Sequence, residues 1–119
     1  KGRREHRVAL SSEAKKILVS QSTVANGDYV FHRDGRPLSN MAMLQFLKRL
    51  NQDVTVHGFR SSFRVWAAEV SGCSSDLAEQ ALAHSVGSQL ERAYQRSDLL
   101  EQRRSLMEAW ARYILQGGD

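Results

Sequence analysis

Large apolar residues recur at helical spacing between Val56 and Trp66, in the stretch VHGFRSSFRVW. At 3.6 residues per turn, an apolar stripe runs along one side. Its members are Phe59, Phe63, Trp66 and Val70. The opposite side holds His57, Ser61, Arg64 and Ala68, with Arg60 at its edge. The pattern predicts a helix from about His57 to Val70, ending near Gly72, with a core side and a polar side.

Two helices are predicted before this one. Ser11 and Ser12 offer an N-cap to a helix through about Val19. Ser39 offers an N-cap to a helix from Asn40 to about Leu50. The predicted buried face of that second helix consists of Met43, Leu44, Phe46, Leu47 and Leu50.

Three helical segments are predicted after Gly72. Asp76 and Glu79 have capping-box spacing at the start of a helix that ends near Ala83. Ser88 and Glu91 repeat that spacing before Tyr94. The last helix runs from Asp98 to Gln116. Its broad apolar face consists of Leu99, Leu100, Leu106, Met107, Trp110, Tyr113 and Ile114.

The strand signals are short and lie in the first third of the chain. His6 to Leu10 (HRVAL) and Tyr29 to Phe31 read as strands, and a turn follows from Asp34 to Pro37. With about six helices, the chain is predicted to be mainly α with a short N-terminal β-hairpin or strand portion. We expect an α+β fold in a single domain over residues 1–119.

Composition places the chain among ordinary globular proteins, with 41% hydrophobic and 25% charged residues in 119. No apolar run is long enough for a membrane span, so no membrane partner is expected. The single cysteine, Cys73, has no partner for an internal disulfide and lacks paired zinc spacing. These features together predict a cytoplasmic protein.

The net charge of +4 is concentrated at one end. Residues 1–16 carry six basic and two acidic side chains, whereas the remaining residues carry equal numbers of each. A basic patch attracts polyanions, of which nucleic acid is the commonest. A solvated terminus without a partner is the alternative interpretation.

Several residues suit phosphoryl transfer without a metal. The four histidines have no paired ligand spacing, so no metal site is predicted. Tyr94 needs cationic donors around a phosphate and a group to take its proton. Arg60 can present a planar fork to two phosphate oxygens, and His57 and His84 can exchange protons near neutral pH. A lysine at the basic end, Lys1, could protonate the leaving oxygen. Each residue taken singly also has a purely structural interpretation.

Five stretches of the chain together resemble the catalytic domain of tyrosine recombinases, specifically the phage- and island-type integrases. They are KGRREHRVALS, YVF, LSNMAMLQFLKRL, TVHGFRSSFRVWAAE and LAHSVGSQLERAYQRSDLLEQRRSLMEAWARYI. They span nearly the whole chain in the family's order. The most specific combination is HGFRSSFRVWAAE followed by LAH and then AYQRSD.

The resemblance implies a role for each candidate. Tyr94 looks like the nucleophile that forms a 3′-phosphotyrosyl ester and releases a 5′-hydroxyl. Arg60 looks like the second phosphate-clamping arginine, and His57 and His84 like the family's two histidines. Lys1 looks like the general acid. Neither ATP nor a metal is implied, so no cofactor is expected.

Two departures from the family pattern bear on activity. The family's first catalytic arginine lies upstream of its lysine turn, and no matching segment is present; the N-terminal arm-binding and core-binding domains have no counterpart either. The chain therefore looks like the C-terminal part of a catalytic domain, truncated at its N-terminal side, and is expected to be inactive alone.

The resemblance also implies partners in the parent protein. They are double-stranded attachment-site DNA, other integrase protomers in a tetrameric synapse, and host DNA-bending proteins. Additional DNA contacts are expected from Arg3, Arg4, Arg64 and Arg96. A non-catalytic DNA-binding module on the same scaffold and a type IB topoisomerase are the alternatives. The packing of the last helix, in cis or on a neighbouring copy, stays open.

Overall fold

A computed structural model describes residues 5–22, 27–84 and 99–116. These residues form five α-helices and one two-stranded antiparallel sheet. In chain order they are α1 (Ser12–Ser22), β1 (His32–Arg33), β2 (Arg36–Pro37), α2 (Ala42–Arg49), α3 (Gly58–Trp66), α4 (Ser75–Ala81) and α5 (Leu100–Leu115), with a π-helical turn at Ala67–Ser71 directly after α3. The prediction of a mainly helical α+β chain is confirmed at this level. None of the helices in the described ranges combines the length and apolarity that crossing a membrane requires.

The hairpin is built around a two-residue turn. Asp34 and Gly35 both have positive φ, at 52° and 79°, as a type I′ turn demands. The turn pairs Arg33 with Arg36 and His32 with Pro37. The predicted turn is therefore confirmed, but the strand expected at residues 29–31 begins at His32, because the tight turn pairs only the residues beside it.

The strand predicted from His6 to Leu10 is wrong. Residues 5–11 have no regular secondary structure, although Ala9 and Ser11 are buried. The Arg7 carbonyl, which a strand would use in a ladder, accepts a hydrogen bond from Arg103 Nη1 at 2.5 Å. Arg103 lies on α5 and is only 2% exposed. The hydrogen bond from the buried Arg103 guanidinium thus holds this segment, as pairing with a neighbouring strand would otherwise do.

The chain divides into two compact units, one of residues 12–61 and the other of residues 1–11 with 62–119. In the first unit, α1 and α2 have no fully buried residue. The buried face predicted for α2 is wrong, since Met43, Phe46 and Leu50 are at least half exposed. Met43 and Phe46 line an open groove between α2 and the hairpin, so they face a cleft and not a closed core.

The start of α2 also differs from the prediction. The helix begins at Ala42 after Met41, and no side chain caps it. Ser39 contributes its backbone carbonyl, which accepts from the Ala42 N–H at 3.1 Å. The serine therefore lies one turn before the helix and does not cap it with its hydroxyl.

The core of the second unit joins α3, α4 and α5. Its buried residues are Phe63, Trp66, Ala67, Ala78 and Leu106. Three aromatic rings pack together there: Phe63 to Trp110 at 5.6 Å edge to face, and Trp66 to Trp110 at 5.0 Å. Small alanines on the π-helical turn and on α4 are fully buried, which lets the backbones approach closely.

The predicted faces of α3 and α5 are therefore partly confirmed. Phe63 and Trp66 are buried, whereas Phe59 and Val70 of the same predicted stripe are more than half exposed. On α5, Leu106 is buried and Trp110 packs on the core, while Tyr113 and Ile114 are about half exposed. The helix containing α3 and its π-helical turn ends at Gly72, whose φ of 71° is left-handed, as the sequence predicts.

Candidate phosphodiester site

His57 and Arg60 lie at the start of α3. The Thr55 hydroxyl accepts from the Gly58 N–H at 2.9 Å, and the Arg60 N–H donates to the His57 carbonyl at 3.0 Å. A Cβ on Gly58 would lie 2.9 Å from Thr55 Oγ1, a distance that real contacts avoid. Glycine at position 58 is thus what allows threonine to close this turn between the histidine and the arginine.

The spacing of His57 and Arg60 puts both side chains on one side of the first turn. His57 is exposed and Arg60 is partly buried. The N-terminal end of a helix carries partial positive charge, to which the guanidinium adds a full charge. Positive charge at a helix N-terminus favours anions, and phosphate binding by His57 and Arg60 stays a prediction.

A second group of side chains lies between α3 and α4, within the unit that holds the aromatic core. The Glu79 carboxylate accepts from Arg64 Nε at 3.2 Å through Oε1 and contacts the Nδ1 of His84 through Oε2. Arg64 Nη2 also donates to the Ser75 hydroxyl at 3.1 Å. We call Arg64, Glu79 and His84 together the Glu79 bridge. It ties a histidine at the end of one helix to an arginine on another.

The backbone at the end of α4 brings His84 back over its own helix. The His84 N–H donates to the Glu79 carbonyl at 2.9 Å and the Ala83 N–H to the Gln80 carbonyl at 3.0 Å. These two bonds form a Schellman motif, with Ala83 in the left-handed position at φ 62°. Glycine usually occupies that position, because a Cβ there costs about 1–2 kcal/mol. The chain accepts this strain immediately before His84.

The protonation state of Glu79 depends on its contacts with His84 and Arg64. The hydrogen bond with the His84 imidazole lowers the pKa of Glu79 below its ordinary value of 4.5; the Arg64 guanidinium adds to this, and partial burial opposes it. Glu79 is therefore ionised at neutral pH, and an ionised carboxylate can only accept hydrogen bonds. The Nδ1 atom of His84 must then carry the hydrogen that it shares with Glu79.

Glu79 is the residue whose role the sequence prediction missed. The predicted capping box of Asp76 and Glu79 is wrong, because the N-cap of α4 is Ser74, whose hydroxyl accepts from the Leu77 N–H at 3.1 Å. This frees the Glu79 side chain to bind Arg64 and His84. The available signal was the stretch EQALAH, which puts a carboxylate five residues before a histidine at a helix end.

The structure describes four of the predicted site residues. His57 and Arg60 lie in the unit of residues 12–61, and Arg64 and His84 lie in the other unit. Tyr94, Lys1, Arg3, Arg4 and Arg96 lie outside the described residues. The guanidinium of Arg64 lies against Glu79 and Ser75, and its contact with DNA stays a prediction. Across the described ranges, no group of three His, Cys, Asp or Glu side chains is arranged to hold a metal.

Known proteins similar to this chain are integrases of phages and prophages. Prophage integrase IntA of Escherichia coli K12 is 36% identical over 114 residues, which is 91% of this chain and 27% of IntA. Prophage integrase IntZ of the same strain is 36% identical over 93% of this chain and 29% of its own length. The integrase of Enterobacteria phage P4 is 32% identical over 96% of this chain and 28% of its own length.

The chain thus spans less than a third of the length of the curated relatives it matches. Neither a protein-family model nor a solved structure matches it. The similarity to the integrases nevertheless extends over more than nine tenths of this chain. Over more than nine tenths of its length, the chain is thus related to the integrases of phages and prophages.

Proposed function

We propose that this chain is the C-terminal part of the catalytic domain of a tyrosine-type site-specific recombinase. Its parent inserts a prophage or genomic island into a chromosome and excises it again. The substrate is double-stranded attachment-site DNA, bound by several integrase protomers in one synapse. The observation that carries the proposal is the similarity to phage and prophage integrases over 91–96% of the chain.

The chemical step transfers a phosphoryl group twice. The Tyr94 phenolic oxygen attacks the scissile phosphorus and the bond from phosphorus to the 5′-oxygen breaks. The phenol proton passes to a nearby base, and the 5′-oxygen takes a proton from Lys1. A 5′-hydroxyl of the partner strand then attacks the phosphotyrosyl ester, so no bond energy has to be supplied from outside.

Arg60 and the two histidines stabilise the charge that develops on the phosphate. A guanidinium binds two phosphate oxygens with parallel hydrogen bonds, and each imidazole can donate one more. The position of Arg60 and His57 at the positive end of α3 supports this role. The contact between the His84 imidazole and the Glu79 carboxylate, which orients the ring, also supports this role.

The experiment uses the full-length integrase that carries this chain and a nicked suicide substrate of its attachment site. Wild-type protein should accumulate as a covalent protein–DNA adduct on a denaturing gel. Tyr94→Phe should bind the same DNA in a gel-shift assay and form no adduct. Tyr113→Phe, a change of the same kind on the surface of α5, is the matched control and should form adduct at the wild-type rate.

An adduct formed by Tyr94→Phe would show that another residue is the nucleophile. The absence of any adduct from the wild-type protein, with DNA binding intact, would favour a non-catalytic DNA-binding module. Relaxation of supercoiled DNA without Holliday-junction formation would favour a topoisomerase.

A further inference from the structure

Glu79 is an acidic side chain that contacts a candidate catalytic histidine, His84. It binds two cationic or proton-bearing partners at once, with a different oxygen for each. Arg64 is itself held by the Ser75 hydroxyl, at 3.1 Å. Arg64 on α3 therefore anchors the carboxylate that contacts the imidazole, and Ser75 on α4 anchors Arg64.

We propose that Glu79 is a positioning residue for His84: it holds the imidazole with the hydrogen on Nδ1, so that Nε2 is the nitrogen that acts on the scissile phosphodiester. The proposal rests on the proposed function, which supplies the reaction in which His84 takes part. Arg64 acts one step further out by anchoring the carboxylate. The integrase resemblance assigned no role to Glu79.

The tautomer follows from the hydrogen-bonding capacities of the groups. An ionised carboxylate accepts through both oxygens, and Arg64 can only donate. The contact between Glu79 and His84 therefore requires a hydrogen on Nδ1. In the neutral imidazole Nε2 then has no hydrogen and can accept a proton; in the charged form it carries one and can donate to a phosphate oxygen. His84 therefore accepts and donates a proton through the same atom, Nε2.

The backbone supports the same geometry independently. The Schellman motif returns the chain over the last turn of α4, and its bond from the His84 N–H to the Glu79 carbonyl joins the same two residues a second time. Ala83 occupies a strained left-handed conformation to make this turn. Backbone and side chain thus both fix the imidazole relative to α4.

The decisive substitution is Glu79→Gln, which keeps the shape of the side chain but provides one acceptor and one donor group. Because Arg64 only donates, the amide oxygen should turn toward Arg64 and the amide nitrogen toward His84. Nδ1 must then accept, and the hydrogen moves to Nε2. Glu101→Gln is the matched control, since Glu101 forms an exposed ion pair with Arg104 on α5 at 3.3 Å.

The first measurement is ¹⁵N NMR of histidine-labelled protein above the ordinary histidine pKa of about 6.5. The chain has four histidines, and the signal that His84→Ala removes identifies His84. Wild type and Glu101→Gln should show hydrogen on Nδ1, and Glu79→Gln should show it on Nε2. Glu79→Asp, which retains a carboxylate, should keep the wild-type tautomer. Hydrogen on Nδ1 in Glu79→Gln would overturn the proposal.

The second measurement is the single-turnover rate of suicide-substrate cleavage by the full-length integrase. Glu79→Gln should slow cleavage about 10- to 100-fold, by analogy with carboxylates that orient metal-bound histidines. Glu101→Gln should cleave at the wild-type rate. In a His84→Ala background, Glu79→Gln should add less than about a twofold loss, because the residue that it positions is already gone.

The outcomes separate this inference from the proposed function. Full additivity of Glu79→Gln and His84→Ala would show that Glu79 acts only on stability, and would overturn the positioning role while leaving the recombinase assignment intact. An unchanged rate for His84→Ala alone would overturn both the role of His84 and this inference. Loss of adduct in Tyr94→Phe tests the recombinase assignment without involving Glu79.

Discussion

Replacing Phe63 with alanine tests how the aromatic cluster holds α3 to α5. Phe63 is 6% exposed and contacts Trp66 at 5.9 Å and Trp110 at 5.6 Å between ring centroids. The change removes a buried ring and leaves a cavity between two tryptophans. Substitutions of this kind cost about 3–5 kcal/mol, to which each lost aromatic pair contributes roughly 0.5–1.5 kcal/mol.

Tryptophan fluorescence during urea unfolding measures this loss directly. The chain has two tryptophans, Trp66 and Trp110, and both lie in the cluster, so the signal follows the unfolding of this unit. With a denaturant slope of about 1.5 kcal/mol per molar urea, the expected loss lowers the midpoint by roughly 2–3 M. A loss of that size is a large part of the 5–15 kcal/mol typical of a whole domain.

Phe59→Ala is the matched control, because Phe59 lies one turn earlier on the same helix and is 55% exposed. Its expected cost is within about 0.5 kcal/mol, as is usual for surface positions. Both variants replace phenylalanine with alanine on the same helix, so the difference between them mainly reports burial. If Phe63→Ala proved less than about 1 kcal/mol more costly than Phe59→Ala, the cluster would not be the core of this unit.

Two further predictions follow from charge and backbone geometry. Because the folded state lowers the pKa of Glu79 below 4.5, its ionisation stabilises the protein above that pH, and this contribution disappears as the pH falls through the lowered pKa. The stability difference between wild type and Glu79→Gln in urea melts should therefore shrink as the pH is lowered from neutral to below 4.5. The left-handed residues that follow the π-helical turn and α4, Gly72 and Ala83, should respond oppositely to substitution. Gly72→Ala, with open space around the new Cβ, should cost about 1–2 kcal/mol, and Ala83→Gly should stabilise by up to about 1 kcal/mol in thermal melts.

The features predicted correctly from the sequence are those that depend on neighbours along the chain. The 3.6-residue period correctly predicted α3 and α5. The pair Asp34-Gly35 correctly predicted the hairpin turn, since aspartate and glycine both tolerate the positive φ that this turn requires. The buried face of α2 failed for the opposite reason: Phe46 has the right period for burial, but the element beside it leaves a groove. The hydrophobic period shows which face of a helix is apolar, but it does not show whether another element covers that face.

Glu79 shows the same limit at the level of a single side chain. Its position three residues after Asp76 fits a capping box, and its position five residues before His84 fits a contact across a helix end. The choice between them depends on Ser74, whose hydroxyl caps α4 two residues earlier and leaves the carboxylate to Arg64 and His84. The left-handed conformation of Ala83 brings His84 within contact distance of Glu79. A glycine at this position would have suggested that conformation from the sequence, but an alanine does not. A carboxylate five residues before a histidine at a helix end therefore predicts a contact only when another residue caps the helix. This chain has both the carboxylate at that spacing and the separate cap, which is Ser74.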